Sequence, residues 1–304
     1  MPEAPTPATT EADDRLRKSH HESTLRWQSQ LMLGAVLVLS SIGLGARLLP
    51  GLTPASAEGL AICAAFGLLV WLLHAATPLA AVTGFLLTSC LYLASVDQPH
   101  GGFFHTALLP GLALFLLAFA ATRFRRGHKE RVGLAESRRG RGASQVAANM
   151  GVAALAALAL PSLASWTEFP GYSPVFYAPL IAALAEAAAD TVSSEIGQAV
   201  GGRPVLVSSF RRVPPGTDGA ISLAGTAAGA VAASIVVLAA VPTLRLDLKQ
   251  AVVSWLAAMA GLFADSLIGA TLERCGWLNN DSVNFISTAL AALIALAAGL
   301  RLHP

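Results

Sequence analysis

The chain has 304 residues, of which 54% are hydrophobic and only 12% are charged. Its mean hydropathy of +0.61 is well above that of soluble globular domains, so the composition predicts a polytopic membrane protein. The formal net charge is +2, and we expect no nucleic-acid partner. The three cysteines stand singly among apolar residues, which disfavours a disulfide framework and a zinc site and predicts packing roles.

The apolar runs predict an all-α fold, a polytopic transmembrane helix bundle of about nine spans. Residues 1–28 are polar and rich in proline and threonine, and we expect a disordered cytoplasmic tail there. About 20 apolar residues cross the hydrocarbon core as a helix. Nine runs fit this length, at approximately 29–49, 57–74, 77–96, 104–122, 143–164, 174–191, 218–242, 250–272 and 282–301. The number of spans in 57–96 stays open, because the connection at 74–78 is short enough for a re-entrant pair.

Basic residues are distributed unevenly between the two sides of these spans. With a cytoplasmic N-terminus, 16 of the 20 lysines and arginines fall on the cytoplasmic side, where short loops of membrane proteins carry them. We therefore predict a multi-pass protein of the bacterial inner membrane. The predicted divisions are the tail at 1–28, a transmembrane scaffold of about four spans at 29–122, a basic cytoplasmic loop at 123–142 and a transmembrane catalytic region of about five spans at 143–304.

The basic loop leads into a polar start of the fifth span. The stretch "RRGRGASQVAAN" places Arg139 and Arg141 beside glycines, and Gln145 and Asn149 one turn apart on one face. A role in setting membrane topology would by itself explain the positive charge of the loop. It would not explain the two amides, because each amide side chain in a membrane helix needs a polar partner. Guanidinium groups and the free N–H groups at a helix N-terminus favour phosphate oxygens. We therefore expect phosphate binding at this end of the span.

The sixth span ends in a stretch of carboxylates, "AEAAADTVSSEIG". Glu186, Asp190 and Ser194 stand four residues apart, so a continuous helix would place them in one stripe. Thr191 and Glu195 lie beside that stripe. Carboxylates this close repel one another unless a cation joins them, and ionisable groups in a membrane helix indicate a functional site. The alternative is that Glu186 and Asp190 pair with loop arginines for assembly alone.

A polar turn, "RRVPPGTDGAIS", precedes the seventh span. Arg211 and Arg212 open it, and Thr217 or Asp218 is predicted to cap the span. Ser222 stands one turn after Asp218, a spacing that favours a polar cavity. Within the span, the motif "GTAAG" predicts close approach of another helix.

The last two spans carry further acids and amides near their predicted cytoplasmic ends. In "ADSLIGATLERCG", Asp265 and Glu273 stand eight residues apart, which places Asp265 about 12 Å inside the end of the helix. In "NNDSVNF", Asp281 and Asn284 stand three residues apart. All of these clusters fall on one predicted side of the membrane, although the orientation rests on lysine and arginine alone.

Carboxylates, amides and hydroxyls opposed by loop arginines favour a site for Mg²⁺ and phosphate groups. The chain has no GxxxxGK[ST] loop, kinase signature set or GxSxG elbow, so the familiar soluble nucleotide folds are not indicated. A site open to the cytoplasm but sunk into the bilayer would bring a water-soluble nucleotide to a lipid-borne phosphate. Composition and spacing do not identify that nucleotide.

The motifs taken together carry a family resemblance. The succession "KERVGLAE", "GRGASQVAAN", "ADTVSSEIG", "VPPGTDGAISLAGTAAG", "ADSLIGATLE" and "NNDSVNF" closely resembles an integral membrane family whose members include the plant chloroplast phytyl-phosphate kinase of vitamin E synthesis. It covers roughly 122–301. The resemblance implies a CTP-dependent transfer of a phosphoryl group to an isoprenoid monophosphate, giving the diphosphate. It extends distantly to membrane-bound CTP-dependent lipid-alcohol kinases and phosphatidate cytidylyltransferases.

The resemblance also implies roles for particular residues. Met150 and Glu273 depart from the family pattern. The matching residues are Arg141, Gln145, Asn149, Asp190, Ser193, Ser194, Glu195, Gly216, Thr217, Asp218, Gly219, Asp265, Ser266, Gly269, Asn280, Asp281 and Asn284. The predicted catalytic and Mg²⁺-binding carboxylates are Asp190, Glu195, Asp218 and Asp265. The predicted phosphate- and nucleotide-binding residues are Arg139, Arg141, Gln145, Asn149, Ser193, Ser194, Arg211, Arg212, Thr217 and Gly219. The predicted supporting polar residues are Glu186, Ser222, Ser266, Glu273, Asn280, Asp281 and Asn284.

The leading hypothesis is a phosphotransferase, a CTP-dependent kinase of phytyl or polyprenyl monophosphate on the cytoplasmic side of the membrane. Its expected partners are the nucleoside triphosphate, the isoprenoid phosphate and membrane lipids, with a homo-oligomer left open. An acceptor that is already an ionised phosphate needs no strong general base. The alternatives are a cytidylyltransferase that forms a CDP-lipid and a lipid or ion transporter. A transporter predicts polar groups through the full membrane depth, whereas the outer halves of these spans are apolar.

Overall fold

The computed structural model describes residues 24–95, 103–135, 137, 139–166, 176–200 and 202–302. Within these ranges the fold is all-α apart from two strands of two residues each, which confirms the predicted fold class. Most of the predicted N-terminal tail lies outside the described residues. The first helix begins at Arg26, so the last residues assigned to the tail are helical.

Nine helices of at least 16 residues lie in the described part of the chain, one for each predicted span. They are α1 (Arg26–Leu48), α2 (Pro54–Leu72), α3 (Pro78–Leu93), α4 (Leu108–Arg123), α6 (Ala143–Trp166), α7 (Tyr177–Val200), α8 (Leu223–Leu244), α9 (Leu248–Ile268) and α10 (Asn280–Leu302). The shorter elements are a 3₁₀ turn (Phe103–His105), α5 (Arg126–Arg131), the antiparallel strands β1 (Val205–Leu206) and β2 (Ala220–Ile221), and a π-helical turn (Gly269–Glu273) that extends α9.

The outer surface of the bundle is apolar. Within the described ranges, five helices are long and apolar enough to cross a membrane: α1, α2, α8, α9 with its π-helical turn, and α10. α3, α4 and the first part of α6 are shorter apolar helices. Large side chains such as Ile42, Leu72 and Leu238 are exposed on the outside, where water-soluble proteins carry mostly polar residues. The chain is therefore a polytopic helix bundle, and the side on which its N-terminus lies stays a prediction.

The helix that carries the first carboxylates is longer than predicted. α7 continues to Val200, well beyond the predicted end at 191, so Glu186, Asp190 and Ser194 lie on one continuous helix. Alanine has the highest intrinsic helix propensity, and this alanine-rich stretch is buried against other helices. Both the propensity and the tertiary packing therefore favour a helix that continues past residue 191. The predicted stripe of polar residues is therefore formed.

The start of α8 corrects a second boundary. The helix begins at Leu223, and the Ser222 hydroxyl accepts a hydrogen bond from the Gly225 N–H at 3.1 Å. Ser222 is therefore the N-cap. The cap predicted at Thr217 or Asp218 is wrong, because both residues lie in the turn before β2.

α7 is the central helix of the bundle. It packs against α4, α6, α8, α9 and α10, and every residue from Tyr177 to Ala189 is buried. α8 approaches it closely: a Cβ atom added at Gly225 would lie 2.6 Å from the Ser193 carbonyl oxygen, and one at Gly229 would lie 2.8 Å from the Ala189 carbonyl oxygen. The close approach predicted for "GTAAG" is therefore confirmed. Polar side chains on α7 must find their partners inside the protein.

A second packing region joins the first helices to the rest. α1 and α3 both pack on α6, with Val36, Cys90 and Ala147 among the buried residues between them. Cys63 is also buried, as predicted. Cys275 is exposed just after the π-helical turn, so the packing role predicted for it is wrong.

Candidate active site

One end of the bundle holds a polar cavity of about 630 Å³. Its walls come from the start of α6, the second half of α7, the turn between β1 and β2, the end of α9 with its π-helical turn, and the start of α10. The polar clusters that the sequence distributes over five segments therefore meet in one place. Sixteen of the predicted site residues line it: Arg141, Gln145, Asn149, Asp190, Ser193, Ser194, Glu195, Thr217, Asp218, Gly219, Ser222, Asp265, Ser266, Glu273, Asn280 and Asn284.

Arg141 is held at the cavity by its own backbone. Its N–H donates to the Ala75 carbonyl oxygen at 3.0 Å, and its carbonyl oxygen accepts from the Thr77 N–H at 3.0 Å. Gly140 has a φ of +77°, and a Cβ atom there would lie 2.4 Å from the Ala75 carbonyl carbon. Only glycine fits this close approach without strain. The glycine before Arg141 thus lets the basic loop dock on the turn between α2 and α3.

The start of α6 presents amides and a helix N-terminus to the cavity. The Gln145 Oε1 atom accepts from the Gly142 N–H at 2.7 Å, which ties the first turn of the helix to the loop before it. The Asn149 Oδ1 atom accepts from the Asn284 Nδ2 atom at 3.3 Å, which joins α6 to α10. The partial positive charge at the N-terminus of a 24-residue helix favours an anion beside Arg141.

Asp190 of α7 and Asp265 of α9 meet in the cavity. Their side chains lie within hydrogen-bonding reach of each other, and the Arg141 guanidinium lies near enough to attract Asp190. The Oδ2 atom of Asp265 is buried and has no hydrogen-bond partner among the described residues. Two carboxyl groups this close are stable only with a shared proton or a bound cation. This pair is the strongest candidate for a cation site in the cavity.

Glu186 lies one turn from Asp190 but does not line the cavity. Its side chain is fully buried, and within the described ranges neither carboxylate oxygen has a hydrogen-bond partner. Gly261 of α9 makes room for it, because a Cβ atom there would lie 2.6 Å from the Glu186 Cγ atom. Ser287 and Asp265 are its polar neighbours. The pairing with loop arginines considered above is therefore not what holds Glu186.

Glu195 has a different role from Asp190. Its Oε2 atom accepts from the Lys129 Nζ atom at 2.5 Å, and its Oε1 atom accepts from the Thr122 hydroxyl at 2.9 Å. Lys129 is fully buried and also donates to the Ala121 and Thr122 carbonyl oxygens at 3.0 and 2.9 Å. The two Glu195 oxygens thus join α7 to the end of α4 and to the basic loop, and the residue is part of the cavity wall.

The turn between β1 and β2 forms another wall and depends on glycine. Gly219 has a φ of +72°, and a Cβ atom there would lie 2.1 Å from the Ala270 nitrogen of the π-helical turn. Gly216 has a φ of +83° and packs on Leu134 of the basic loop. The absence of a side chain at Gly219 lets the turn approach the end of α9, and its absence at Gly216 lets the turn pack against the basic loop. This contact brings Thr217 to the same cavity as the α9 carboxylate.

No three histidine, cysteine, aspartate or glutamate side chains form a metal-binding group within the described part of the chain. The four carboxylates predicted to gather Mg²⁺ therefore do not form one cluster: Asp190 meets Asp265, Glu195 pairs with Lys129, and Asp218 lies on the β1–β2 turn. Mg²⁺ usually keeps several waters and binds through one or two carboxylates plus substrate phosphates. The pair of aspartates satisfies that smaller requirement.

A model of the family described as Integral membrane protein DUF92 matches residues 61–292. The chain belongs to this family. The match contains every residue of the polar cavity.

Several proteins are similar to the chain. Protein VTE6, chloroplastic, of Arabidopsis thaliana is 33% identical over 189 residues, which are 60% of this chain and 56% of the relative. The uncharacterized membrane protein sll0875 of Synechocystis is 36% identical over 191 residues, 61% of this chain and 70% of the relative. Protein PGR of Arabidopsis thaliana is 27% identical over 260 residues, 72% of this chain and 87% of the relative. The chain thus spans little more than half of VTE6, and no solved structure matches it significantly.

Five predicted site residues of this DUF92 member lie off the cavity walls. Glu186 lies behind the cavity, as described above. Arg139, Arg211 and Arg212 are exposed, and the Arg211 carbonyl oxygen accepts from the Leu206 N–H at 2.9 Å. Their phosphate contacts stay predictions. The Asp281 Oδ2 atom accepts from the Ser29 hydroxyl at 2.7 Å and thereby joins α10 to α1.

Two features of the site were not predicted from the sequence. The sequence predicts Lys129 only as one of the basic residues on the cytoplasmic side, whereas the structure pairs it with Glu195. Its place in the motif "KERVGLAE" is the signal that distinguishes it. The turn at Ala75 and Thr77 belongs to the predicted scaffold, and the sequence "TP" there indicates only the start of α3. Nothing local indicates that this turn holds Arg141.

Proposed function

We propose that this chain is a membrane-embedded kinase that transfers the γ-phosphoryl group of CTP to an isoprenoid monophosphate and releases the diphosphate. The observation that carries the proposal is the single cavity in which an aspartate pair, Asp190 and Asp265, faces Arg141 and the N-terminus of α6. The family resemblance described above supports the reaction and the nucleotide. The similarity to VTE6 supports an isoprenoid phosphate as the substrate.

The residues of the cavity fit Mg²⁺. The buried Asp265 Oδ2 atom without a partner and the adjacent Asp190 carboxylate would supply hard oxygen ligands, and phosphate oxygens and water would supply the others. When bound, Mg²⁺ neutralises charge on the phosphates and orients them. The metal-binding role predicted for Glu195 is less well supported, because Lys129 and Thr122 occupy its two oxygens.

Positioning and charge neutralisation account for the proposed catalysis. An oxygen of the acceptor phosphate attacks the γ-phosphorus, and the bond from that phosphorus to the β,γ-bridging oxygen breaks, so CDP leaves with the electron pair. The acceptor is already ionised, so no residue has to remove a proton. Arg141, fixed by its backbone hydrogen bonds, neutralises charge on a transferring or accepting phosphate. Ser193, Ser194 and Thr217 offer hydroxyl donors on the neighbouring walls.

The proposed location is the bacterial inner membrane, with the cavity facing the cytoplasm. The distribution of lysine and arginine supports this orientation, and CTP is a cytoplasmic metabolite that cannot cross a bilayer unaided. Accessibility of single cysteines introduced at Ser194 and at Leu49 in intact and permeabilised cells would test it. Labelling of the Ser194 position in intact cells by a membrane-impermeant thiol reagent would contradict it.

The reaction itself is tested with purified full-length protein in nanodiscs, Mg²⁺ and phytyl monophosphate. With CTP labelled at the γ-phosphate, we expect label in phytyl diphosphate, and with CTP labelled at the α-phosphate we expect none in lipid. The reverse pattern would establish a cytidylyltransferase that forms a CDP-lipid. Transport of lipid or ions into proteoliposomes without nucleotide turnover would establish a transporter and contradict the kinase.

A further inference from the structure

A second cavity, the apolar groove, adjoins the polar cavity. It has a volume of about 140 Å³ and lies between α2, α3, α4 and α6, with Phe66, Val70, Gly84, Leu114, Phe115 and Phe119 on its walls. We propose that this groove binds the hydrocarbon chain of the acceptor lipid, with the phosphate of that lipid at Arg141. The inference rests on the proposed function and identifies where its lipid substrate binds.

The packing of the helices creates the groove. α3 packs mainly on α6 and α2, and α4 packs mainly on α7 and α8, so α3 and α4 diverge. Aromatic rings line the space between them: the Phe66 and Phe115 centroids are 5.1 Å apart in an edge-to-face contact, and those of Phe115 and Phe119 are 5.6 Å apart in a stacked contact. Such walls offer dispersion contacts and exclude water, which suits an alkyl or prenyl chain.

The polar groups of the groove are concentrated where it meets the polar cavity. Arg141 and Asn149 line both spaces. Arg123 and Arg126 lie at the same end, and the Arg123 guanidinium sits 3.9 Å from the Phe119 ring centroid. A groove that is apolar along its length and cationic at one end matches an amphiphile with an anionic head and a hydrocarbon tail. An isoprenoid monophosphate is such a molecule, and its phosphate would lie beside the Asp190–Asp265 pair.

Gly84 provides a direct way to fill the groove. It is half-buried on the groove wall, yet a Cβ atom added there meets no atom within 4 Å. A larger side chain at this position therefore occupies open space instead of displacing a neighbouring helix. Gly34 is a matched control, because it is also a helical glycine with no atom within 4 Å of an added Cβ, but it lies on α1 outside the groove.

The first test compares Gly84→Leu with Gly34→Leu in full-length protein reconstituted in nanodiscs. We expect Gly84→Leu to lower the ratio of kcat/KM for phytyl monophosphate to kcat/KM for dimethylallyl monophosphate by about tenfold, because Gly84 lies six residues into α3 from Pro78, about 9 Å along the helix and beyond the reach of a five-carbon tail. Gly34→Leu should leave the ratio unchanged. An unchanged ratio in folded Gly84→Leu would overturn the proposal. Gly84→Ala, which adds one methyl group, serves the same comparison if the leucine variant does not fold.

The second test measures binding without catalysis, so it does not depend on the proposed reaction. A phytyl monophosphate analogue with a diazirine at the end of its tail is irradiated with the protein in the absence of nucleotide. We expect cross-links in peptides of α2 and α4, reduced by Gly84→Leu but not by Gly34→Leu. Unlabelled phytyl monophosphate should compete much better than inorganic phosphate at the same concentration; equal competition by the two would show that the tail adds nothing to binding and would overturn the proposal. Cross-links confined to other helices, or equal labelling of both variants, would overturn the assignment of the groove.

If the groove binds the lipid but no phosphate is transferred, cross-linking succeeds while the labelled-CTP assay fails. That outcome would retain the groove and reject the kinase. If transfer occurs without cross-links in α2 and α4, the kinase stands and the groove is rejected.

Discussion

The buried ion pair between Lys129 and Glu195 gives the sharpest test of how the site is built. The sequence predicts Glu195 as a metal ligand, whereas its two oxygens accept from Lys129 and Thr122. Replacing Glu195 with Gln removes the negative charge and leaves the fully buried Lys129 ammonium with only neutral oxygens as its partners. A charge buried without its counter-ion destabilises a protein by about 3–5 kcal/mol.

We therefore expect Glu195→Gln to lower the apparent Tm of the detergent-solubilised protein by roughly 5–15 °C. The double variant Lys129→Met, Glu195→Gln removes both charges and should recover most of that loss, since buried ion pairs are often replaceable by apolar groups. Circular dichroism and intrinsic fluorescence on purified protein measure both transitions. The Mg²⁺ concentration that gives half-maximal turnover should stay the same in the double variant.

A different outcome would refute this reasoning. If Glu195→Gln melts like the wild type but needs much more Mg²⁺, Glu195 is a metal ligand and the ion pair is incidental. If the double variant is no more stable than Glu195→Gln, the loss does not come from an uncompensated Lys129 charge. Arg126→Gln with Glu130→Gln removes an ion pair that is about one-third exposed, and it serves as a control because such pairs contribute about 1 kcal/mol or less.

Three further predictions concern the cavity. Asp190→Asn and Asp265→Asn should each lower Mg²⁺-dependent phosphoryl transfer by about 10²–10³-fold with little change in Tm, as measured on purified protein with labelled CTP; near-normal transfer in both would exclude the aspartate pair as the metal site. Arg141→Lys should keep the backbone hydrogen bonds that hold the loop, so protein yield should be normal while kcat/KM falls about tenfold or more, because the bidentate guanidinium is lost. Gly140→Ala should reduce both yield and Tm, since its φ of +77° and the 2.4 Å approach to Ala75 leave no room for a methyl group; a normal Tm for Gly140→Ala would show that the loop does not dock as described.

The fold was largely predictable because hydrophobic length is a local signal. Each apolar run became a helix, since a membrane helix satisfies its backbone hydrogen bonds within one segment. The predicted helix ends were wrong where a helix continues through polar residues inside the protein. α7 extends to Val200 because its carboxylates face a cavity and not the lipid, and hydropathy alone cannot distinguish those two environments.

The sequence predicted which helices contribute to the site, because each of them carries its polar residues at the end that lies on the same predicted side of the membrane. Asp190 and Asp265 are far apart in sequence, yet the orientation from lysine and arginine placed both near one predicted surface, and the structure brings them into contact. The distinction between Asp190 and Glu195 was not predictable, because it depends on Lys129 lying against α7. Nor did the sequence indicate that Glu186 would be enclosed, since the room for it comes from Gly261 on another helix.

The predicted division between an N-terminal scaffold and a C-terminal catalytic region stays a prediction. Contacts across this division show that residues of both halves hold the side chains of the site. Arg141 is held by the turn between α2 and α3, and Glu195 is held by Thr122 at the end of α4. The groove proposed for the lipid tail is bounded on three sides by α2, α3 and α4. The first four spans would therefore select the lipid and position its phosphate, while the later spans would hold the metal and nucleotide. Under this arrangement, changes in α2–α4 should alter the preferred chain length of the acceptor, and changes at Asp190 or Asp265 should alter the dependence on Mg²⁺.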